Sequence, residues 1–114
     1  MQNRLAQLQE FLKESPNDSF LIYALASEYL KIGDFNQALK YFEKLIDDFP
    51  DYLATYYHLG KLYQSLGKVE EASQTFLKGM DLAQRKRDLH ALSELKNAYA
   101  LLNGSDEDDD DEDW

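Results

Sequence analysis

Cysteine is absent from the 114 residues, which excludes a disulfide framework, a thiolate zinc site, a cysteine nucleophile and thiol redox chemistry. Long apolar runs are missing too. Nothing approaches the roughly 18 residues that span a bilayer, and Met1-Gln2-Asn3-Arg4 leads into an alternating polar pattern rather than a signal-peptide core. The expectation is a cytoplasmic chain with no membrane role. The 5 glycines form neither a GxGxxG nor a GxxxxGK loop, so nucleotide chemistry is not expected. Histidine is limited to His58 and His90, neither of them in an HExxH or Ser/His/Asp arrangement, and no metal site follows. The carboxylate pairs Asp47-Asp48 and Glu70-Glu71 sit at a helix end and a helix start, where solvation and the helix dipole account for them.

An excess of basic residues is also lacking. The net charge is −10, but residues 106–113 hold 8 of the 22 acids, leaving 14 acids against 12 bases in residues 1–105. The rest of the chain is therefore nearly neutral, and an acidic stretch repels phosphate backbones, so no nucleic-acid binding is expected. Length and the 44 % hydrophobic content fit one soluble domain rather than a two-domain enzyme.

What is present is a repeat. Residues 19–52 laid over 53–86 give eight identities without a gap, against roughly two by chance. They include Tyr23/Tyr57, Leu25/Leu59, Tyr29/Tyr63, Gly33/Gly67, Ala38/Ala72 and Phe42/Phe76. The same offset reaches backward, placing Leu5, Leu8, Phe11 and Leu12 before Leu39, Phe42, Leu45 and Ile46, and Pro16 before Pro50. The segment 2–15 thus reads as a second helix without its first.

Each repeat reads as two amphipathic helices around a tight turn. Ile22, Leu25, Ala26, Tyr29 and Ile32 recur at helical spacing and stop at Gly33-Asp34, where glycine adopts the left-handed helix-ending conformation. Ala38, Leu39, Phe42, Leu45 and Ile46 mark a second helix over Phe35 to Asp48, closed by Pro50. Repeat two follows as Tyr52 to Leu66 and Val69 to about Arg85. Residues 88–102 place Ala91, Leu92, Leu95, Ala98, Tyr99 and Leu102 on one side, with His90, Ser93, Glu94, Lys96 and Asn97 opposite, as a solvating cap would. At the other end Leu5, Leu8, Phe11 and Leu12 are expected to face inward.

These residues resemble the tetratricopeptide repeat (TPR) family. Its W-x2-L-G-x2-Y, A-x3-F and P pattern appears as Tyr56-x2-Leu59-Gly60-x2-Tyr63 with Ala72-x3-Phe76, and as Ile22-x2-Leu25-Ala26-x2-Tyr29 with Ala38-x3-Phe42 and Pro50. Departures fall at Ile22, Tyr56, Ala26, Gly79 and Gln84; without a proline at Gln84 the helix is free to run on through Arg85-Lys86-Arg87 or to join the next less sharply. The resemblance implies an all-α fold, a right-handed superhelical array of antiparallel helix pairs. It would comprise about six helices: an N-terminal helix at 2–15, repeats at 19–52 and 53–86, and a capping helix at 87–103. It also implies a small stand-alone bacterial-type protein, non-enzymatic and without cofactors, that binds a protein or peptide. Six helices, equivalent to three pairs, are about the minimum for an independently stable array, so a monomer is expected, with a dimer joined through the terminal helices as the alternative.

In this family the first helices of successive repeats line a concave groove. Here that face would carry Phe20, Tyr23, Ser27, Leu30 and Lys31 from repeat one and Tyr57, Lys61 and Gln64 from repeat two, with Ala54 and Ser65 beside them and Asp88, Ala91 and Leu95 as an extension. Tyr23 and Tyr57 read either as paired ligand platforms or as fillers between helices. The carboxylate-clamp subclass is not supported, because the corresponding positions hold Tyr23, Ser27, His58, Asp88 and Leu92. An apolar or mixed peptide is the expected ligand.

Residues 104–114, with eight acids followed by Trp114, are expected to be disordered. Three roles stay open for them: a solubility tail, an adaptor element that recruits a basic partner with Trp114 as anchor, or a segment that folds back over Lys31, Lys61 or Arg85-Lys86-Arg87.

Overall fold

A computed structural model describes residues 3–104. Within them lie six helices and no strand: α1 (Arg4–Glu14), α2 (Ser19–Lys31), α3 (Phe35–Asp48), α4 (Ala54–Ser65), α5 (Val69–Lys86) and α6 (Leu89–Leu102). Two compact units divide at Thr55/Tyr56, the first holding α1 to α3 and the second most of α4 with α5 and α6.

The helices begin where short polar side chains satisfy first-turn N–H groups that have no partner within the helix. Asn3 accepts from the Ala6 N–H at 2.7 Å, Asp18 from Leu21 at 3.2 Å, Asp34 from Gln37 at 3.2 Å and Asp88 from Ala91 at 3.0 Å. At α5 the cap position is Lys68, which makes no such bond; Glu70 and Glu71 in the first turn offer the helix dipole negative charge instead.

Four helices, α2, α4, α5 and α6, end on left-handed residues, whereas α1 and α3 end on Ser15 and Phe49 with negative φ. Gly33 (φ 85°) donates to the Leu30 carbonyl at 3.1 Å while Asp34 donates to Tyr29 at 2.9 Å; Gly67 (φ 78°) and Lys68 repeat both bonds to Gln64 and Tyr63 at 3.0 and 2.8 Å. This double closure is the Schellman arrangement. The end of α5 uses it as well, with Arg87 (φ 58°) and Asp88 bonding Gln84 and Ala83. Without a proline, α5 does run on to Lys86, yet the turn into α6 is as sharp as the others. Asp34 and Asp88 each close one helix with the backbone and open the next with the side chain.

In the first unit the buried core joins Leu8 of α1, Ile22, Leu25, Ala26 and Tyr29 of α2, and Ala38, Phe42 and Leu45 of α3. Burying each large side chain contributes about 1.5–3 kcal/mol. In the second unit Tyr56, Leu59, Leu62, Ala72, Phe76, Leu82, Leu95 and Ala98 do the same. Close approach there depends on glycine. A Cβ on Gly60 would collide with the Phe76 ring, and one on Gly79 would lie 2.6 Å from the Tyr56 Cβ and 3.1 Å from Leu95.

One expected inward residue is not inward. Phe11 is 55 % exposed, whereas Leu45, its equivalent one repeat later, is fully buried. The helix that would cover the Phe11 side of α1 has no counterpart before it among the described residues. The other end is one-sided as expected, with Leu95 and Ala98 buried and His90, Ser93, Glu94, Lys96 and Asn97 exposed. Leu95 is therefore core, not an extension of an open face.

Candidate functional site

The first unit carries a cleft of about 230 Å³ where the start of α1 meets the exposed face of α2. Helical spacing sets its lining: Phe20, Tyr23, Ala24, Ser27 and Lys31 fall on successive turns of α2, and Arg4 and Glu28 close the side toward α1. Four of the expected groove residues, Phe20, Tyr23, Ser27 and Lys31, are thus brought together in one place. Leu30, half-buried on the same helix, is not part of the lining.

The electrostatics centre on Glu28, whose side chain is 14 % exposed. Arg4 approaches its carboxylate to 3.5 Å and Lys31 to 3.9 Å, both cations remaining largely in solvent. One acid between two bases leaves a local positive excess that favours an anionic group. Phe20 is 58 % exposed at the other end of the cleft. Together these features suit a ligand with an apolar body and a negative end.

Tyr23 has a mixed role. Its ring meets the edge of Phe42 at 6.3 Å and lies tilted on Tyr52 at 5.4 Å, so it fills space within the unit while also lining the cleft. Burial pushes the Tyr52 hydroxyl above its ordinary pKa, and the nearby Tyr23 and Asp18 add to that shift.

A wider hollow of about 630 Å³ runs between α1 and α3, lined by Ala6, Gln9, Glu10, Leu12, Lys13, Leu25 and Tyr41. Its polar groups are already engaged: the Gln9 side-chain amide donates to the Tyr29 hydroxyl at 2.9 Å, and the Tyr29 and Tyr41 rings stack at 5.7 Å. It is a seam of the repeat rather than a ready ligand site.

In the second unit Tyr57 and Gln64 are half-buried on α4 and Lys61 is exposed. Tyr57 meets the His58 ring edge-on at 5.5 Å. Burial lowers the His58 pKa, and Glu94 opposes that shift. Trp114 lies outside the described residues. Among those residues no group of three or more His, Asp or Glu side chains is placed to hold a metal ion, and no helix is long and apolar enough to cross a membrane.

Arg4 and Glu28 escaped the sequence reading, although the repeat register held a signal. Arg4 stands 34 residues before the buried Ala38, and Glu28 34 before the buried Leu62. Two opposite charges at slots that are otherwise apolar mark an ion pair across α1 and α2.

Paired antiparallel helices of a 34-residue period, closed by glycine turns, define a helical-repeat protein. Residues 29–95, more than half of the chain, match the tetratricopeptide repeat family, and the chain belongs to that family. It is 27 % identical over 88 residues to a TPR repeat-containing protein of Pseudomonas aeruginosa, covering 77 % of this chain and 84 % of that one. Among solved structures, a tetratricopeptide repeat domain protein from Salinibacter ruber is 43 % identical, with a TM-score of 0.75 over 78 % of this chain and 90 % of its own. A protein from Bordetella parapertussis superposes with a TM-score of 0.81 at 26 % identity, covering 94 % and 93 % of the two chains. TPR domains generally mediate protein–protein interaction and are generally non-enzymatic.

Proposed function

We propose that this chain is a protein-interaction module that takes a peptide or partner helix on the first-helix faces of its repeats, anchored in the first unit by the Arg4/Glu28/Lys31 cleft. The observation that carries this reading is the convergence of an exposed aromatic ring, Phe20, with Tyr23, Ser27 and two solvent-facing cations on one small concavity. Aromatic anchors beside charged groups are where binding energy concentrates in protein interfaces. Tyr57, Lys61 and Gln64 provide the corresponding face of repeat two. Binding is mechanical: preformed helices present the side chains, and no bond is made or broken.

A peptide-display selection against the whole protein tests this, followed by affinity measurement on purified variants. Selected peptides are expected to place an acidic residue near an aromatic or branched apolar one. Phe20→Ala and Lys31→Glu should each weaken binding about tenfold or more, equivalent to about 1.4 kcal/mol. Both positions are exposed, so circular dichroism should be unchanged. Peptides whose affinity ignores both substitutions would remove the cleft from the reading. The monomeric state is checked by sedimentation at the chain mass of 13.3 kDa.

A further inference from the structure

We propose that the outer face of α6 is a docking site for the chain's own acidic segment, residues 106–114, which lies there where the second helix of a third repeat would otherwise run. The first support is that α6 is itself a first helix in disguise. Leu92-x2-Leu95-Lys96-x2-Tyr99 has the spacing of Tyr56-x2-Leu59-Gly60-x2-Tyr63, and Leu95 is buried as Leu59 is. Its end repeats the same turn: Gly104 is left-handed (φ 74°) and donates to the Leu101 carbonyl at 3.2 Å, as Gly33 and Gly67 do to theirs. After Gly33 and Gly67 the chain doubles back along the helix just completed, as α3 and α5.

A regular second helix does not fit on this face. The slot that Gly60 keeps open for the Phe76 ring is filled in α6 by the exposed Lys96. What fits instead is an extended acidic strand. Leu89 and Lys96, seven residues apart, share one face of α6, and Lys86 and Arg87 stand at its far end. Among the described residues Lys86, Arg87 and Lys96 enter no ion pair, whereas Arg85 is held by Asp81 at 3.1 Å. Leu89 is 74 % exposed beside these cations. A track of positive charge ending at an apolar side chain matches a run of eight acids ending at Trp114.

The lengths agree. The 14 residues of α6 extend about 21 Å, and residues 105–114, if extended, reach about 33 Å or more. Trp114 can therefore reach Leu89 with the acids laid past Lys96 and over Lys86 and Arg87. Tethering makes the encounter intramolecular, at an effective concentration in the mM range, so weak individual contacts suffice.

Trp114 is the only tryptophan, and its emission in the intact protein reports the docking directly. At about 0.01 M salt, where screening extends over about 30 Å, the emission should be blue-shifted and protected from acrylamide. At about 1 M salt, with screening over about 3 Å, it should return to that of free tryptophan. Lys96→Glu and Lys86→Glu should each abolish the low-salt shift, and Leu89→Ser should reduce it, with circular dichroism unchanged. Lys31→Glu, in the first unit, should leave it intact. Free-tryptophan emission at low salt, a shift that survives Lys96→Glu, a shift lost on Lys31→Glu, or one that grows with protein concentration would each overturn the proposal. A shift lost on Lys31→Glu would move the tail to the α2 cleft; the other outcomes leave that cleft untouched, and it is tested separately by its ligands.

Discussion

The two units solve one packing problem with opposite choices of size. Thirty-four residues apart, Ile22 corresponds to Tyr56 and Leu45 to Gly79, and all four are buried. In the first unit two branched aliphatic side chains of similar bulk occupy the pair of slots. In the second a large ring on the first helix is matched by nothing on the second, so that the Tyr56 Cβ rests where a Gly79 side chain would begin. The second unit brings its helices close enough at this point that no side chain fits at position 79, whereas the first unit keeps room for Leu45, and each solution leaves a close-packed interior.

The largest expected effect breaks this trade. Gly79→Leu alone should destabilise the protein by about 3 kcal/mol by overpacking against Tyr56 and Leu95, and Tyr56→Ile alone by about 2 kcal/mol by leaving a void. The double variant places the first unit's pair in the second, but isoleucine keeps the Cβ that a side chain at position 79 meets, so recovery relative to the sum should stay below about 1 kcal/mol, which a urea-denaturation double-mutant cycle measures. A larger recovery would mean that the Tyr56 ring, not its Cβ, sets the limit at position 79.

A smaller effect separates the turns. Asp34 caps α3, while Lys68 at the same place leaves α5 without a side-chain cap. Asp34→Ala should cost about 1 kcal/mol, and Lys68→Asp should add up to about 1 kcal/mol, both read from the thermal midpoint. A Lys68→Asp variant no more stable than the parent would show that Glu70 and Glu71 already satisfy that helix start.

The smallest effect depends on pH. His58 takes the slot held by Ala24 in the first unit, and burial lowers its pKa from 6.5. The unfolded chain therefore takes up a proton before the folded one does, so stability is full above about pH 6.5 and falls as the pH drops toward the folded value. Chemical denaturation at about pH 7.5 and 5.5 should show that loss, and His58→Ala should flatten it.

The period, the glycine turns and the aromatic residues between helices are legible in the chain because each rests on local spacing. What is not legible depends on pairs or on shifted register. The Leu45/Gly79 exchange becomes intelligible only when Tyr56 is seen against Gly79, and the Arg4–Glu28 pair only when α1 is seen beside α2. The first-helix pattern in α6 escapes a 34-residue comparison because it falls at an offset of 36: α5 is longer than α3, 18 residues against 14, and the connection after it is shorter. Arg87 in a left-handed turn runs against residue preference, since glycine serves the two equivalent turns. Of the expected groove, the α2 face is legible as a helical stripe; its closure by Arg4 is not.

Asp34 and Asp88, each ending one helix and starting the next, bear on how the chain folds. Every bond that shapes these corners joins residues no more than five apart, so each corner forms without first closing a long loop. Topologies built from such short-range contacts reach their native state in microseconds to milliseconds, and a repeat can nucleate at either corner and spread to its neighbour.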